Sequence, residues 1–215
     1  MLAHIQDKYF NMFNTLTEKY RPTCLDECIL PERIKKPLEK LVKRGQLGHL
    51  IFYGKPGNGK TSAAMALIKE LKSENVYIVN ASLNNSADFI SKALAHFGTG
   101  IYDGRRIIIL EEADNLTENA QKILKKPLED MAAVYDVIFC LNDFDKIDNA
   151  IKSRCNIFCF DIKKEEEDKI KKLVIKRFLN ISKKEKISIK KSDIEDIYAD
   201  NNGDIRAMLK KLELF

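Results

Sequence analysis

Eight consecutive residues, Gly54-Lys55-Pro56-Gly57-Asn58-Gly59-Lys60-Thr61, fit the spacing G-x-x-x-x-G-K-S/T. Glycines in such a turn let backbone N–H groups curl around phosphate oxygens, and a helix opening at its end adds partial positive charge. Lys60 has the reach for the β- and γ-phosphates of a nucleotide, and the Thr61 hydroxyl suits Mg2+. A second cluster is Glu111-Glu112, which ends the apolar run 107–110. The first acid would organise Mg2+ and its waters, and the second would polarise a water for attack on the γ-phosphate. Glu111 is one methylene longer than the usual Asp, which leaves open a site that binds ATP but hydrolyses it slowly or not at all. Asn142 closes the run 135–141. It could orient the attacking water, or simply begin a turn. Arg154, in Ser153-Arg154-Cys155, reads either as a solvated loop residue or as an arginine finger for a neighbouring subunit's phosphate. Arg206, in Gly203-Asp204-Ile205-Arg206, could report phosphate occupancy to the helices around it.

These residues need a scaffold that gathers them. Strand-like runs cover 49–53, 76–80, 106–110, 135–141 and 156–160, with helical spacing at 61–72, 88–97 and 117–131 between them. Strand–helix–strand alternation predicts an α/β domain, a parallel sheet covered on both faces, over residues 1–161. Ligands of such sheets bind at the carboxyl ends of the strands, where Asn142 falls. Thr117 is the expected N-cap of its helix, and Pro127 should bend or interrupt it. After residue 161 the pattern becomes all-helical, at 162–178, 187–198 and 203–214, which predicts a small helical domain over 162–215. The charged run 163–172 reads as a solvated helix face.

Composition fits a globular chain of 215 residues, 45% hydrophobic and 32% charged. No apolar run approaches the ~20 residues that cross a bilayer, which speaks against a membrane span. The N-terminal stretch lacks a basic region and a small-residue cleavage site, so secretion is not expected. Five Cys, an odd number, fit a reducing compartment better than a disulfide framework. Residues 151–215 hold 17 Lys/Arg and 12 Asp/Glu, and the other 20 and 20 cancel, so the whole net charge of +5 lies on the last third. That permits a polyanionic partner without demanding one. Cys24-x3-Cys28 and Cys155-x3-Cys159 have spacing that zinc tolerates, but buried free cysteine is the simpler reading. His4, His49 and His96 suggest no ligand set.

Taken together, several ordered motifs resemble the clamp-loader group of AAA+ ATPases. Glu18-Lys19-Tyr20-Arg21-Pro22 is similar to the EKYRP box of replication factor C small subunits, Ser153-Arg154-Cys155 to their SRC motif, and residues 203–212 to their GDxR sensor helix. Residues 26–31 and 103–106 look most like the large clamp-loader subunit of tailed phages. The resemblance runs from about Glu18 to Leu214. It implies a P-loop AAA+ domain with a five-stranded parallel sheet, a helical lid, and an ATPase that opens a ring-shaped sliding clamp and loads it on primer–template DNA. Partners would be the clamp, the DNA and other subunits, most simply in a pentamer, in the cytoplasm (that of an infected bacterium if phage-encoded). Carried over by position, Glu18, Lys19, Tyr20 and Ile29 would border the adenine. Gly57, Asn58, Gly59, Lys60, Thr61 and Ser62 would hold the phosphates. Thr61 and Glu111 would hold Mg2+, with Glu112, Lys60 and Asn142 catalytic, Arg154 a finger in trans and Arg206 a second sensor. The family's helical collar domain would be absent, since the chain stops after the sensor helix. A structural or regulatory ATP-binding subunit that hydrolyses poorly is the alternative. Another AAA+ DNA protein, such as a helicase loader, fits the EKYRP, SRC and GDxR stretches less well.

Overall fold

The computed structural model describes residues 15–99, 106–130 and 134–215. The N-terminal stretch with His4, residues 103–105 of the phage-like match and Met131 lie outside the described residues. The chain divides into two compact units: Thr23–Asp161, and the described residues up to Pro22 together with Ile162–Phe215.

Five parallel strands build the first unit: β1 (Leu50–Tyr53), β2 (Val76–Asn80), β3 (Arg106–Glu111), β4 (Tyr135–Leu141) and β5 (Asn156–Cys159). Their order is β2-β3-β4-β1-β5. Every residue of β4 is buried, and β3 is buried up to its last residue, because helices cover both faces. Side chains alternate across the pleat. Ile108, Leu110, Val137, Phe139 and Leu141 join one core, whereas Ile107, Ile109, Ile138 and Cys140 join the other. The first core is closed by residues of α4 (Ala87–Thr99) and α5 (Glu118–Asp130), the second by residues of α2 (Glu32–Arg44) and α3 (Lys60–Glu70). A short helix, α1 (Leu16–Lys19), belongs to the other unit. The short α6 (Asn149–Lys152) leads into β5.

Thr117 caps α5 as expected: its Oγ1 accepts from Ala120 N at 3.2 Å. Pro127 does not interrupt the helix, which runs unbroken from Glu118 to Asp130. The carbonyl that loses its helical donor belongs to Ile123, an exposed residue. Helix α2 was missed from the sequence. Ile34 and Leu38 supply its buried stripe, and Gly45 at φ +67° ends it. His49 is a satisfied core residue: Nε2 donates to Leu128 O (2.9 Å) and Nδ1 accepts from Val137 N (3.2 Å).

In the second unit the helices are α7 (Glu167–Glu185), α8 (Lys191–Asp200) and α9 (Ile205–Leu212). Sequence reading began α7 at 162 and stopped it at 178. A 3-10 turn over Lys164–Glu166 comes first, and α7 continues because Ile181 and Ser182 are also buried. It ends at Lys186, φ +59°. Helix α8 likewise starts later than expected, at Lys191, where Asp193 bonds back to Lys190 N. Residues 15–22, read from sequence as part of the α/β domain, group with these helices instead. Leu16 N donates to Glu213, and Arg177 donates to Tyr20 O at 2.7 Å. Among the described residues no helix is long and apolar enough to cross a membrane.

Candidate nucleotide site

Directly after β1 the backbone enters a turn with Gly54 at φ +141°, Gly57 at +82° and Gly59 at +85°. These are values that L side chains rarely adopt, so the glycines allow a loop that no other sequence would trace cheaply. The turn opens α3, whose N-terminus has no side-chain cap. Its first N–H groups face an anion site by default. Lys60 is buried, at 9% exposure, and its ammonium donates to Gly54 O (2.6 Å), Lys55 O (3.0 Å) and Asn142 Oδ1 (2.8 Å). That last bond joins the loop after β1 to the end of β4, two strands that are neighbours in the sheet. Asn142 is further placed by its own N–H, which donates to Asp114 Oδ1 at 3.3 Å.

Glu111 is the last residue of β3, in register with Cys140 of β4. Burial pushes the Cys140 thiol up to about 12; the Glu111 charge adds to the rise and Lys60 opposes it. Both charges therefore act on one buried sulfur. Glu112 is exposed and takes φ +52°, unusual for a residue with a side chain. Backbone in this region concentrates at functional sites. Thr61 and Ser62 stand in the first turn of α3, half-buried. The donor set fits ATP with Mg2+: an uncapped helix start, a glycine cradle, one buried cation, a hydroxyl and two strand-end acids. Among the described residues there is no group of three or more His, Cys, Asp or Glu able to hold a metal by themselves. All five cysteines are free thiols.

The Asn58 side chain is engaged within the sheet unit. Its amide nitrogen donates to Phe160 O (3.2 Å) and Asp161 Oδ1 (3.1 Å). Arg154 donates to Ala150 O, and it pairs with Glu129 of α5. Its buried Nε has no partner among the described residues. Cys155 beside it packs against the first core.

The residues expected to border adenine divide between the two units. Ile29, half-buried, belongs to the sheet unit. Glu18, Lys19 and Tyr20 belong to the helical one. Glu18 pairs with Arg21 through two bonds (2.6 and 3.0 Å). Lys19 and Tyr20 both bond Glu185 of α7. Burial first, then Glu185, pushes the Tyr20 hydroxyl up to about 12, while Lys19 and Tyr20 hold the Glu185 carboxyl below its usual range. Arg206 is exposed in the first turn of α9, where Asp204 caps its N–H at 2.9 Å. Sequence reasoning missed Asp114, Glu129 and Asp161. Glu129 and Asp161 lie outside the motifs, Asp114 stands at the end of the acidic stretch after β3, and only folding shows what each touches.

Known proteins place this geometry. Replication factor C small subunit of Sulfolobus acidocaldarius is 34% identical over 203 residues, covering 91% of this chain and 61% of that protein. The corresponding subunit of Staphylothermus marinus is 35% identical, with 91% and 60% covered. The chain thus spans about three fifths of the length of these relatives. The Thermotoga maritima RuvB Holliday junction branch migration motor superposes with a TM-score of 0.70 over 90% of this chain and 64% of its own. At 20% identity that likeness speaks to fold alone. The sequence pattern of one family matches residues 50–161, from the start of β1 to the residue after Phe160. This span carries every strand and the phosphate loop, and on it the chain belongs to the ATPase family associated with various cellular activities (AAA).

Proposed function

We propose that this chain hydrolyses ATP as a subunit of a clamp loader in DNA replication. The observation that carries the reading is the 2.8 Å bond between the Lys60 ammonium and Asn142 Oδ1. It brings a phosphate-binding cation and a water-orienting amide to one point at the carboxyl edge of the sheet. The likeness to replication factor C small subunits supports the choice of clamp loading among the uses of such a site.

In this reading Gly57, Asn58, Gly59, Lys60, Thr61 and Ser62 form the phosphate cradle, with Asn58 acting by bracing it. Thr61 and Glu111 would hold Mg2+, which would supply neutralising charge to the phosphates. Glu112 polarises the water and Asn142 orients it. Lys60 stabilises charge that develops on the γ-phosphate. Glu18, Lys19, Tyr20 and Ile29 border the base, and Arg206 senses the phosphates. Arg154 acts on a neighbouring subunit's ATP, for which it must leave Glu129. Partners are a sliding clamp, further subunits in a ring, and primer–template DNA, all in the cytoplasm. The domain division at Asp161 separates the nucleotide core from its helical lid.

The test is ATP turnover per subunit over a range of protein concentrations with primed DNA present. A finger given in trans makes specific activity rise with concentration, and Arg154→Ala removes the rise. Glu112→Gln abolishes turnover and spares ATP binding. Equal turnover in the wild type and Glu112→Gln refutes the enzyme. One observation favours a second reading, a subunit that binds ATP without effective hydrolysis: Glu111 stands where Asp is usual. Flat, negligible turnover with intact binding, even with clamp and partner subunits added, would select it.

A further inference from the structure

Asp161 follows β5 and belongs to no motif, yet it touches the phosphate loop twice. Its Oδ1 accepts from Lys55 N at 2.7 Å and from Asn58 Nδ2 at 3.1 Å. The carboxylate is held in place from several directions. Phe160, fully buried, extends the β1–β5 pairing through its N–H to Tyr53 O at 2.7 Å. It also packs on Phe52 with ring centroids 4.9 Å apart. Arg33 of α2 donates to Cys159 O (2.6 Å) and to Asp161 O (2.5 Å), clamping the backbone on both sides of Phe160. On the loop side, a Cβ at Gly54 would lie 2.9 Å from Asp161 Oδ1 and 3.0 Å from Asp161 N. The glycine that opens the loop is thus needed for the carboxylate to sit against it.

We propose that Asp161 is a positioning residue for the nucleotide: through Lys55 N and Asn58 it sets the shape of the phosphate loop. The inference rests on the reading of that loop as an ATP site. The loop's N–H groups bind phosphate only while they point inward together, and preorganisation is what makes such donors effective. A turn with three glycines loses much conformational entropy on ordering. Asp161 supplies two bonds that hold it in the ordered form, one to the backbone at its start and one to a side chain at its middle. Because the acceptor is a carboxylate, both bonds are charge-assisted.

The experiment uses the full chain and equilibrium binding of fluorescent N-methylanthraniloyl-ATP with Mg2+. Wild type, Asp161→Ala, Asp161→Asn, Asn58→Ala and the double variant Asp161→Ala/Asn58→Ala are compared, with circular dichroism reporting folding. Asp161→Ala weakens binding about tenfold, the scale of one charge-assisted hydrogen bond. Asp161→Asn keeps an oxygen acceptor without the charge and recovers about half of that loss. Asn58→Ala weakens binding in the wild type and adds less in Asp161→Ala, where the Asp161 contact is already gone and only the bond to Phe160 O is left to lose. A merely structural Asp161 would lower the unfolding midpoint without that coupling. Should Asp161→Ala fail to fold, Asn58→Ala and Asp161→Asn still read the contact. Binding by Asp161→Ala within twofold of wild type overturns the proposal, as does full additivity with Asn58→Ala. A wild type that binds no nucleotide at all fails at the ATP reading itself, before Asp161 is in question.

Discussion

Replacing Gly54 by Ala separates two costs that the structure puts on one atom. The first is conformational. At φ +141° an L residue occupies a region left almost entirely to glycine, at about 1–3 kcal/mol. The second is steric. The new Cβ would meet Asp161 Oδ1 at 2.9 Å, Asp161 N at 3.0 Å and Phe160 C at 3.2 Å. Two of those three atoms are backbone of a segment clamped by Arg33, so they yield little. Overpacking of this kind costs about 1–3 kcal/mol. Ala restricts the unfolded chain and returns roughly 0.5 kcal/mol. The net is about 3 kcal/mol of destabilisation, and with a urea slope of about 2–3 kcal/mol/M the midpoint falls by ~1–1.5 M. Gly45→Ala is the matched control. Gly45 sits at φ +67° with nothing within 4 Å of its Cβ, so it bears the conformational cost alone, about 1 kcal/mol. Urea unfolding followed by circular dichroism measures both variants. In an Asp161→Ala background the Gly54→Ala cost shrinks but persists, because the two backbone contacts remain. If Gly54→Ala shifts the midpoint no more than Gly45→Ala does, the close packing of Asp161 on the loop is refuted.

Other outcomes follow from the same packing. Tyr135 is fully buried, and its hydroxyl has no partner among the described residues; burial pushes it up to about 12. Tyr135→Phe is therefore neutral or stabilising by up to ~1 kcal/mol, and a clear fall in unfolding temperature would reveal a hidden partner. His49→Leu strands Val137 N and Leu128 O inside the sheet unit and costs about 2–4 kcal/mol, read as a lower urea midpoint. Tyr20 titrates near 12, not 10, so its contribution to stability is full below pH 10 and is lost as pH rises through 12. Ultraviolet titration at 295 nm should show the Tyr20 step move only part of the way down in Glu185→Gln, because burial, the larger cause of the rise, remains. Glu185 behaves oppositely: with its folded pKa lowered, its contribution is present above its unfolded value of 4.5 and fades as pH falls below it. Acid unfolding of Glu185→Gln should thus begin from a less stable state and show a weaker pH dependence. Glu129→Gln loosens the hold on Arg154. Partly exposed pairs are worth ~0.2–1 kcal/mol, so the protein concentration for half-maximal turnover falls by up to about fivefold, and a rise would argue against a finger that must be released.

Much of the core unit was legible because its signals are local. A β-branched run such as Ile107–Ile109 buried on both faces, a glycine turn and a following helix each follow from a few neighbouring residues. The glycine turn, Glu111-Glu112 and Asn142 could be placed in advance at the carboxyl edge of the sheet, since strand ends in such a sheet converge whatever the loops do. The helical unit was less legible. Boundaries there depend on which residues find partners. Ile181 and Ser182 prolong α7 because they are buried, and residues 15–22 join that unit because Arg177 and Glu213 bond them.

Sequence alone determined the sheet class, the phosphate-binding chemistry and the family resemblance, all carried by residue type and short spacing. Tertiary structure decided which side chains meet. It paired Lys60 with Asn142 across 82 positions, Asp161 with Asn58 across 103, and Tyr20 with Glu185 across 165. No periodicity in a sequence encodes such pairs. They exist because parallel strands order themselves by packing, not by position in the chain, and because a buried or half-buried polar group takes whatever partner the fold brings to it.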